Sequence, residues 1–262
     1  MRLVRSLAFD FVFYVGTFIW SLGLLWTLVL PRETMLYFVR FYFRFIGWAE
    51  RVFLGLTYRL VDGDKRPEGA YIVAAKHQSA WETLKLLILF DDPAIVLKHE
   101  LLRIPIWGWY AAKARLIPIV RGAKGAAIAS LIKGAKSAKA EGRPIVIFPQ
   151  GTRLAPGAYR PYRSGIMALY EGLDLPVLPL ALNSGVFWPR HARIKRGGEI
   201  TVRYLDPIPP GLDRDDFARL LEDRLETATD ELVQSVGGPA TERPVAESDE
   251  RFDTVGKQAA DA

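Results

Sequence analysis

Apolar residues are concentrated near the start of the chain. Residues 11–30 form a run of twenty positions without a formal charge, and Pro31 closes it. A helix of this length can cross a bilayer. The run is too long for a signal peptide, and no small-x-small cleavage site follows it. We therefore predict a membrane segment that stays in the mature protein.

Residues 35–60 combine large aromatic side chains with three arginines. Offsets of four and seven place Arg40, Arg44 and Arg51 on one face of a helix. Such a helix suits the lipid interface, where its arginines would meet anionic headgroups, although a helix that covers a soluble core has the same pattern. Basic residues flank the first apolar run on both sides and give no strong orientation. We expect a helical hairpin in one leaflet, with a signal anchor that exports the remainder as the alternative.

After Gly63 the pattern changes to short β-rich runs that alternate with helical stretches, which indicates an α/β fold. Seven strands are predicted, at residues 57–61, 71–75, 94–97, 116–120, 144–148, 177–182 and 200–204. The clearest helices are predicted at residues 80–90, 122–140, 164–172 and 213–236. The last of these begins with an acid-rich first turn, which favours a helix start.

The composition limits the available chemistry. The chain has 262 residues, 50% of them hydrophobic, so it can bury a sizeable core. It has no cysteine, which excludes disulfides, iron–sulfur clusters, cysteine-ligated zinc and a thiol nucleophile. Only three histidines remain for metal binding. Catalysis must therefore use oxygen and nitrogen groups.

The formal net charge of +6 favours an anionic partner, such as a phospholipid surface, a phosphorylated substrate or a nucleic acid. We discount nucleic acid, because the aromatic residues cluster in the membrane-like segments and no RNA- or DNA-binding motif is present. The small and charged residues of the C-terminus predict a disordered tail. The expected organisation is a membrane-anchoring segment at 1–60, an α/β domain at 61–236 and the tail at 237–262.

The first candidate for chemistry is a histidine that leaves a predicted strand. Glu82 follows His77 by five residues, in the first turn of a predicted helix. A carboxylate at that spacing can accept the imidazole N–H and raise the basicity of the other ring nitrogen, as a general base requires. The nucleophile could then be a substrate hydroxyl. Residues Ser79 to Glu82 also match a capping box, which alone would explain the glutamate.

Two further strand ends carry an arginine. Gln150, Gly151, Thr152 and Arg153 follow one strand, and Arg121 follows another. Glycine permits close backbone approach, threonine offers a hydroxyl, and arginine offers a forked cation for phosphate oxygens. Each charge taken singly is more often a solvated strand end. Because ligands bind at the carboxyl ends of strands in an α/β sheet, the two arginines could clamp one phosphate.

Four sequence blocks together resemble a known family. In chain order they are His77-Gln78-Ser79-x-x-Glu82, Lys98 through Arg121, Phe148 to Arg153, and Val177 to Ala181. They are similar to the ordered blocks of the glycerolipid acyltransferases, and in particular of the 1-acyl-sn-glycerol-3-phosphate acyltransferase family. The resemblance covers roughly residues 71–183, and four blocks in order are more specific than any one alone. It implies a mixed central sheet flanked by helices, as in glycerol-3-phosphate acyltransferase, with an N-terminal membrane-embedded helical hairpin.

The resemblance also implies roles for these residues. His77 would deprotonate the 2-hydroxyl of lysophosphatidic acid, which attacks an acyl thioester to give phosphatidic acid, and Glu82 would orient His77. The remaining implied roles are phosphate binding by Arg121, Gly151, Thr152 and Arg153, and further substrate contacts by Gln150, by Lys98 and, along the acyl path, by Pro179. Acyl-CoA or acyl-acyl carrier protein would serve as cosubstrate, with no metal and no tightly bound cofactor. The expected partner surface is membrane phospholipid, at the inner membrane with the catalytic domain on the cytoplasmic side.

Two positions depart from the family pattern. Glu82 stands where the family usually has Asp, which keeps the carboxylate and adds one methylene. Gln150 stands where the family usually has Glu, which removes a negative charge. The second departure keeps open an acyltransferase for another lysophospholipid or for an amino-acid lipid. An alternative from another class is a catalytically silent membrane protein that binds anionic lipid.

Overall fold

A seven-stranded sheet organises the chain in the computed structural model, which describes residues 1–120 and 124–242. The strands are β1 (Leu56–Val61), β2 (Ile72–Ala75), β3 (Ala94–Lys98), β4 (Ile117–Ile119), β5 (Ile145–Ile147), β6 (Val177–Leu182) and β7 (Gly198–Tyr204). Their order across the sheet is β1-β7-β6-β2-β5-β3-β4. Neighbouring strands are parallel except for β6 and β7, which run antiparallel. The mixed sheet is thus confirmed, and each predicted strand lies within one or two residues of an observed one.

Helices cover both faces of the sheet. They are α1 (Arg2–Gly23), α2 (Arg32–Ala49), α3 (Trp81–Leu89), α4 (Trp107–Lys113), α5 (Lys124–Ala140), α6 (Ser164–Leu173), α7 (Ser184–Phe187) and α8 (Arg214–Gln234). One core cluster joins the sheet to α1, α2 and α3, and a second joins it to α5, α6 and α8. The central strand β2 is therefore buried on both faces, which explains why it is apolar throughout instead of alternating. The sequence pattern did not predict the short helices α4 and α7.

Helices α1 and α2 form a helical hairpin. The Thr17 hydroxyl lies 2.6 Å from the Tyr42 hydroxyl, and the Trp20 ring stacks on the Tyr42 ring. The predicted helix at 11–30 was misplaced, because α1 begins nine residues earlier and a 3₁₀ helix at Leu25–Val29 follows it. The proline that closes the run favours an extended conformation in Leu30, where the 3₁₀ helix ends.

The outer face of this hairpin is apolar and exposed. Phe11 and Tyr14 on α1 each keep 68% of their surface exposed, and Trp48 on α2 keeps 55%. Among the described residues, α1 is the one helix long and apolar enough to cross a membrane. Several large apolar side chains exposed on one hairpin are unusual in a soluble monomer and indicate membrane association.

The predicted arginine face is divided between protein and solvent. Arg40 donates to the Asp91 carboxylate at 2.8 Å, so one of the three arginines has a partner within the protein. Arg44 and Arg51 are exposed. The single long helix is interrupted because α2 gives way to a π-helical turn at Glu50–Leu54, which ends at a left-handed glycine before β1.

A buried ion pair ties this turn to α3, the helix that carries Glu82. The Lys85 ammonium lies 2.8 Å from Glu50, and the Trp81 indole N–H donates to the same carboxylate at 3.2 Å. Burial raises the pKa of Glu50, and the attraction of Lys85 opposes that rise. The anchor segment and the helix beside the candidate base are therefore held together by polar contacts as well as by packing.

The two predicted domain limits fall within ordered structure. Strand β1 belongs to the sheet, so a limit at residue 60 cuts through a strand. The tail limit at 237 is too early, because the Thr241 hydroxyl donates to the Asp230 carboxylate at 2.5 Å. The rest of the predicted tail, residues 243–262, lies outside the described residues.

Candidate active site

The turn between β2 and α3 carries the candidate base. His77 lies in this turn, and Glu82 lies in the first turn of α3. His77 Nδ1 is 2.8 Å from Glu82 Oε1, and the Glu82 side chain is only 1% exposed. The additional methylene of glutamate is therefore accommodated, since the turn brings the carboxylate into hydrogen-bond contact with the imidazole.

The Glu82 carboxylate accepts four hydrogen bonds. Besides His77, Oε1 accepts the backbone N–H groups of Gln78 and Ser79 at 2.8 and 2.7 Å. The other oxygen, Oε2, accepts the Ser184 hydroxyl at 2.7 Å. The capping interaction and the orientation of the histidine are thus functions of one carboxylate.

This geometry selects one tautomer of the histidine. The carboxylate at Nδ1 is an acceptor, so the ring proton lies on Nδ1 and Nε2 is the basic nitrogen. The ring stacks on Phe148, with centroids 3.9 Å apart, which fixes its plane. The His77 side chain keeps 12% of its surface exposed, so a substrate hydroxyl can reach the ring. The arrangement is that of a general base with an orienting carboxylate.

The predicted phosphate loop lies beside this base. Strands β2 and β5 are parallel neighbours, so their carboxyl ends lie at the same edge of the sheet. The Leu154 backbone N–H donates to the His77 carbonyl at 2.9 Å, which ties the loop to the base. Gly151 has a φ of 67°, a conformation that glycine adopts without strain. Thr152 and Arg153 are partly buried in the same loop.

Gln150 faces inward, toward helix α8. Its side-chain amide donates to Glu226 Oε1 at 3.3 Å, and Gln150 is 2% exposed. Glu226 also forms a buried ion pair with Lys76 and accepts the Tyr162 hydroxyl at 2.8 Å. Burial, together with the adjacent Glu226, raises the pKa of Tyr162 well above its ordinary value. The Glu226 carboxylate is therefore hydrogen-bonded to Gln150, the residue that stands where the family usually has Glu.

Two of the remaining predicted residues lie in other strands of the sheet. Lys98 is exposed at the carboxyl end of β3, and β5 separates that strand from β2. Pro179 is buried within β6, level with Ala74 of β2. Arg121 lies outside the described residues. Within residues 1–120 and 124–242, no group of three His, Asp or Glu side chains could hold a metal ion.

Two residues at the site were missed by the sequence analysis. Ser184 lies in α7, 102 positions after Glu82, and Glu226 lies in the C-terminal helix. Ser184 is an ordinary serine after a predicted strand, and nothing in the sequence marks it as functional. Glu226 is one of many acidic residues on an amphipathic helix. Only the packing of distant elements reveals either contact.

Comparisons with known proteins identify the family of the chain. The Acyltransferase family model matches residues 59–183, which contain the histidine–carboxylate pair and the loop after β5. The sheet, the pair and this match place the chain among the acyltransferases.

Similar proteins define the family more narrowly. The chain is 33% identical over 204 residues to the 1-acyl-sn-glycerol-3-phosphate acyltransferase of Pseudomonas aeruginosa, covering 77% of this chain and 79% of the relative. It is 28% identical over 159 residues to the human alpha enzyme of the same name, covering 60% of this chain and 56% of that relative. The chain belongs to the 1-acyl-sn-glycerol-3-phosphate acyltransferase family.

The fold also matches a solved structure. The 1-acyl-sn-glycerophosphate (LPA) acyltransferase PlsC from Thermotoga maritima aligns with a TM-score of 0.70, covering 88% of this chain and 99% of that chain. The sequence identity is 20%, so this likeness concerns the fold alone.

Proposed function

We propose that the protein transfers an acyl chain from an acyl thioester to the 2-hydroxyl of 1-acyl-glycerol-3-phosphate, forming phosphatidic acid for phospholipid synthesis. The observation that carries the proposal is the His77–Glu82 hydrogen bond of 2.8 Å, which leaves the opposite ring nitrogen as a base beside a phosphate-binding type of loop. The names of the relatives support the choice of acceptor.

The proposed reaction needs no covalent intermediate on the protein. His77 Nε2 removes the proton of the acceptor hydroxyl as its oxygen attacks the thioester carbonyl. The C–S bond then breaks, and the leaving thiolate takes the proton from the imidazolium. Glu82 stabilises the imidazolium that forms between these steps, in the manner of the carboxylate in a catalytic triad. Its two backbone donors and Ser184 hold it in place.

The acceptor phosphate would bind to the loop after β5. Gly151 offers a close backbone approach, Thr152 offers a hydroxyl, and Arg153 offers a guanidinium. Arg121, which follows β4, is proposed as a second cation on the same phosphate. Arg190 donates to the Arg153 carbonyl at 3.3 Å and adds a positive charge near this loop.

The lipid substrate and product are consistent with the apolar hairpin. We propose that the exposed face of α1 and α2 lies in the lipid of the inner membrane, with the catalytic domain on the cytoplasmic side. The acyl donor would be acyl-CoA or acyl-acyl carrier protein, and the reaction as written uses neither a metal nor a tightly bound cofactor.

The acceptor assignment can be tested at Arg153. Arg153→Gln should raise the KM for lysophosphatidic acid at least tenfold, since an arginine–phosphate contact is worth about 1.5–3 kcal/mol. The KM for lysophosphatidylcholine, whose phosphate is a diester, should change less. Arg160→Gln, an exposed arginine seven positions further on, is the matched control. Equal KM values for both acceptors in the unaltered protein would contradict the proposed substrate.

A further inference from the structure

A cationic cavity lies at the start of α1, between the π-helical turn and the loop that precedes β7. Its volume is about 200 Å³, and its lining is formed by Arg2, Arg5, Leu54, Lys195 and Gly197. Three of these five residues carry a positive charge. None of them belongs to the histidine–carboxylate pair or to the loop after β5.

Lys195 is fixed within this cavity by the fold. Its backbone N–H donates to the Ser6 hydroxyl at 2.9 Å, and its ammonium lies 2.5 Å from the Asp10 carboxylate. The same ammonium lies 5.7 and 5.2 Å from the ring centres of Phe9 and Trp188. Lys195 is 5% exposed, so it is a preorganised cation rather than a mobile surface lysine. Asp10 balances one of the three positive charges and leaves two.

The two arginines share one face of α1, three positions apart. Arg5 Nε donates to the Phe53 carbonyl at 2.6 Å, which orients its guanidinium toward the π-helical turn. The opposite wall depends on glycine, because a Cβ at Gly197 would lie 2.5 Å from the Leu54 carbonyl oxygen. Close contact between two backbones thus shapes a pocket into which the arginine side chains extend.

The surroundings of the cavity are apolar and exposed. Val4 and Leu7 on α1 keep 68% and 52% of their surface exposed, and Val52 and Ile194 beside the cavity keep 50% and 46%. A free phosphate or a soluble nucleotide would make no use of these side chains. A ligand with an anionic head and apolar chains would use both the cations and the exposed apolar surface.

We propose that this cavity binds the headgroup phosphate of an anionic phospholipid of the surrounding bilayer, with the acyl chains along the exposed face of α1. The site would hold a lipid that is not consumed in the reaction. Strand β6 separates β7, where the cavity lies, from β2, which leads to the candidate base. The proposal can be tested independently of the acyl-transfer reaction, because the measured quantity is lipid binding.

Vesicle flotation of the full chain tests the proposal. The Arg2→Gln/Arg5→Gln variant should bind phosphatidylcholine vesicles containing phosphatidylglycerol about 30-fold more weakly, the effect of two basic residues at an anionic surface. Its binding to pure phosphatidylcholine vesicles should be unchanged. The control Lys133→Gln/Lys136→Gln removes the same charge from exposed positions of α5 and should change binding less than about threefold. An equal loss in the control would overturn the site, because it would indicate diffuse attraction only.

A soluble short-chain lipid gives a second readout without a membrane. Dihexanoyl-phosphatidylglycerol should bind the unaltered protein with one-to-one stoichiometry by calorimetry, and Lys195→Met, which keeps the packed stem, should weaken this binding at least tenfold. Inorganic phosphate alone should compete poorly. Equal affinity for inorganic phosphate, or unaltered lipid binding by Lys195→Met and by the double arginine variant, would overturn the assignment to a lipid headgroup.

Discussion

Replacing Glu82 with glutamine separates the charge of this carboxylate from its shape. Glutamine has the same length, and its amide oxygen can accept the hydrogen bonds that Oε1 accepts from His77 Nδ1 and Ser79 N–H. Its NH₂ group can donate to the Ser184 hydroxyl, which is both a donor and an acceptor. The Glu82→Gln variant should therefore fold, with a loss of about 1 kcal/mol for weaker hydrogen bonds.

The kinetic effect should be much larger than the effect on stability. In the proposed reaction His77 becomes a cation with Nδ1 2.8 Å from the carboxylate oxygen. Charge centres about 4 Å apart attract one another by about 4 kcal/mol at an effective dielectric constant of about 20. Loss of the attraction between the imidazolium and the carboxylate should slow the chemical step about 10³-fold. Because the imidazole is neutral before the reaction, KM should change by less than about threefold.

Thiol release from an acyl thioester measures this effect directly. Glu82→Asp is the matched control, since it restores the charge but shortens the side chain by one methylene. It should have an intermediate kcat. A Glu82→Gln variant that folds normally and keeps its kcat within about tenfold of the unaltered protein would refute the role of this charge.

Three further variants test the surroundings of the site. Ser184→Ala removes the donor to Glu82 Oε2 and should lower kcat about tenfold and stability by about 1–3 kcal/mol, measured by thiol release and urea unfolding; an unchanged kcat would contradict the positioning role. Glu226→Leu removes the carboxylate that pairs with the buried Lys76 ammonium and should lower the free energy of unfolding by about 3–5 kcal/mol, whereas a loss under about 1 kcal/mol would count against the buried pair. Burial raises the pKa of Tyr204 to about 12, so the folded state retains its proton longer than the unfolded state does. Tyr204 should then contribute a loss of roughly 2–3 kcal/mol of stability as the pH rises from about 10 to about 12, in addition to the losses from other buried tyrosines such as Tyr162, and Tyr204→Phe should lessen the total loss by that amount in urea titrations. A loss of the same size in Tyr204→Phe would exclude Tyr204 as its source.

Local patterns were sufficient to predict the scaffold of the site. The run Ile72–Ala75 is short, apolar and followed by polar residues, which is typical of a central parallel strand that ends at a ligand crevice. Glu82 was predicted to face His77 because both lie in one short turn. Contacts between residues a few positions apart follow from local geometry and can be predicted from the sequence.

Contacts between distant segments could not be predicted in this way. Ser184 reaches the Glu82 carboxylate only because β6 lies beside β2 and places α7 at the same edge of the sheet. Gln150 seemed to lose a charge, yet α8 supplies Glu226 to that position. The partner of Arg40 is likewise distant in sequence, because the loop after α3 provides Asp91. Each of these depends on which elements pack together, a property that periodicity does not encode.

The central claim is tested most directly by thiol release from an acyl thioester in lipid vesicles, with and without lysophosphatidic acid. His77→Ala is compared with His99→Ala, a histidine outside the turn that carries the base. We predict release that depends on the acceptor, is lowered at least a hundredfold in His77→Ala and persists in His99→Ala. Folded, lipid-bound protein that releases no thiol with any acceptor, or a His77→Ala variant as active as the unaltered protein, would contradict the account.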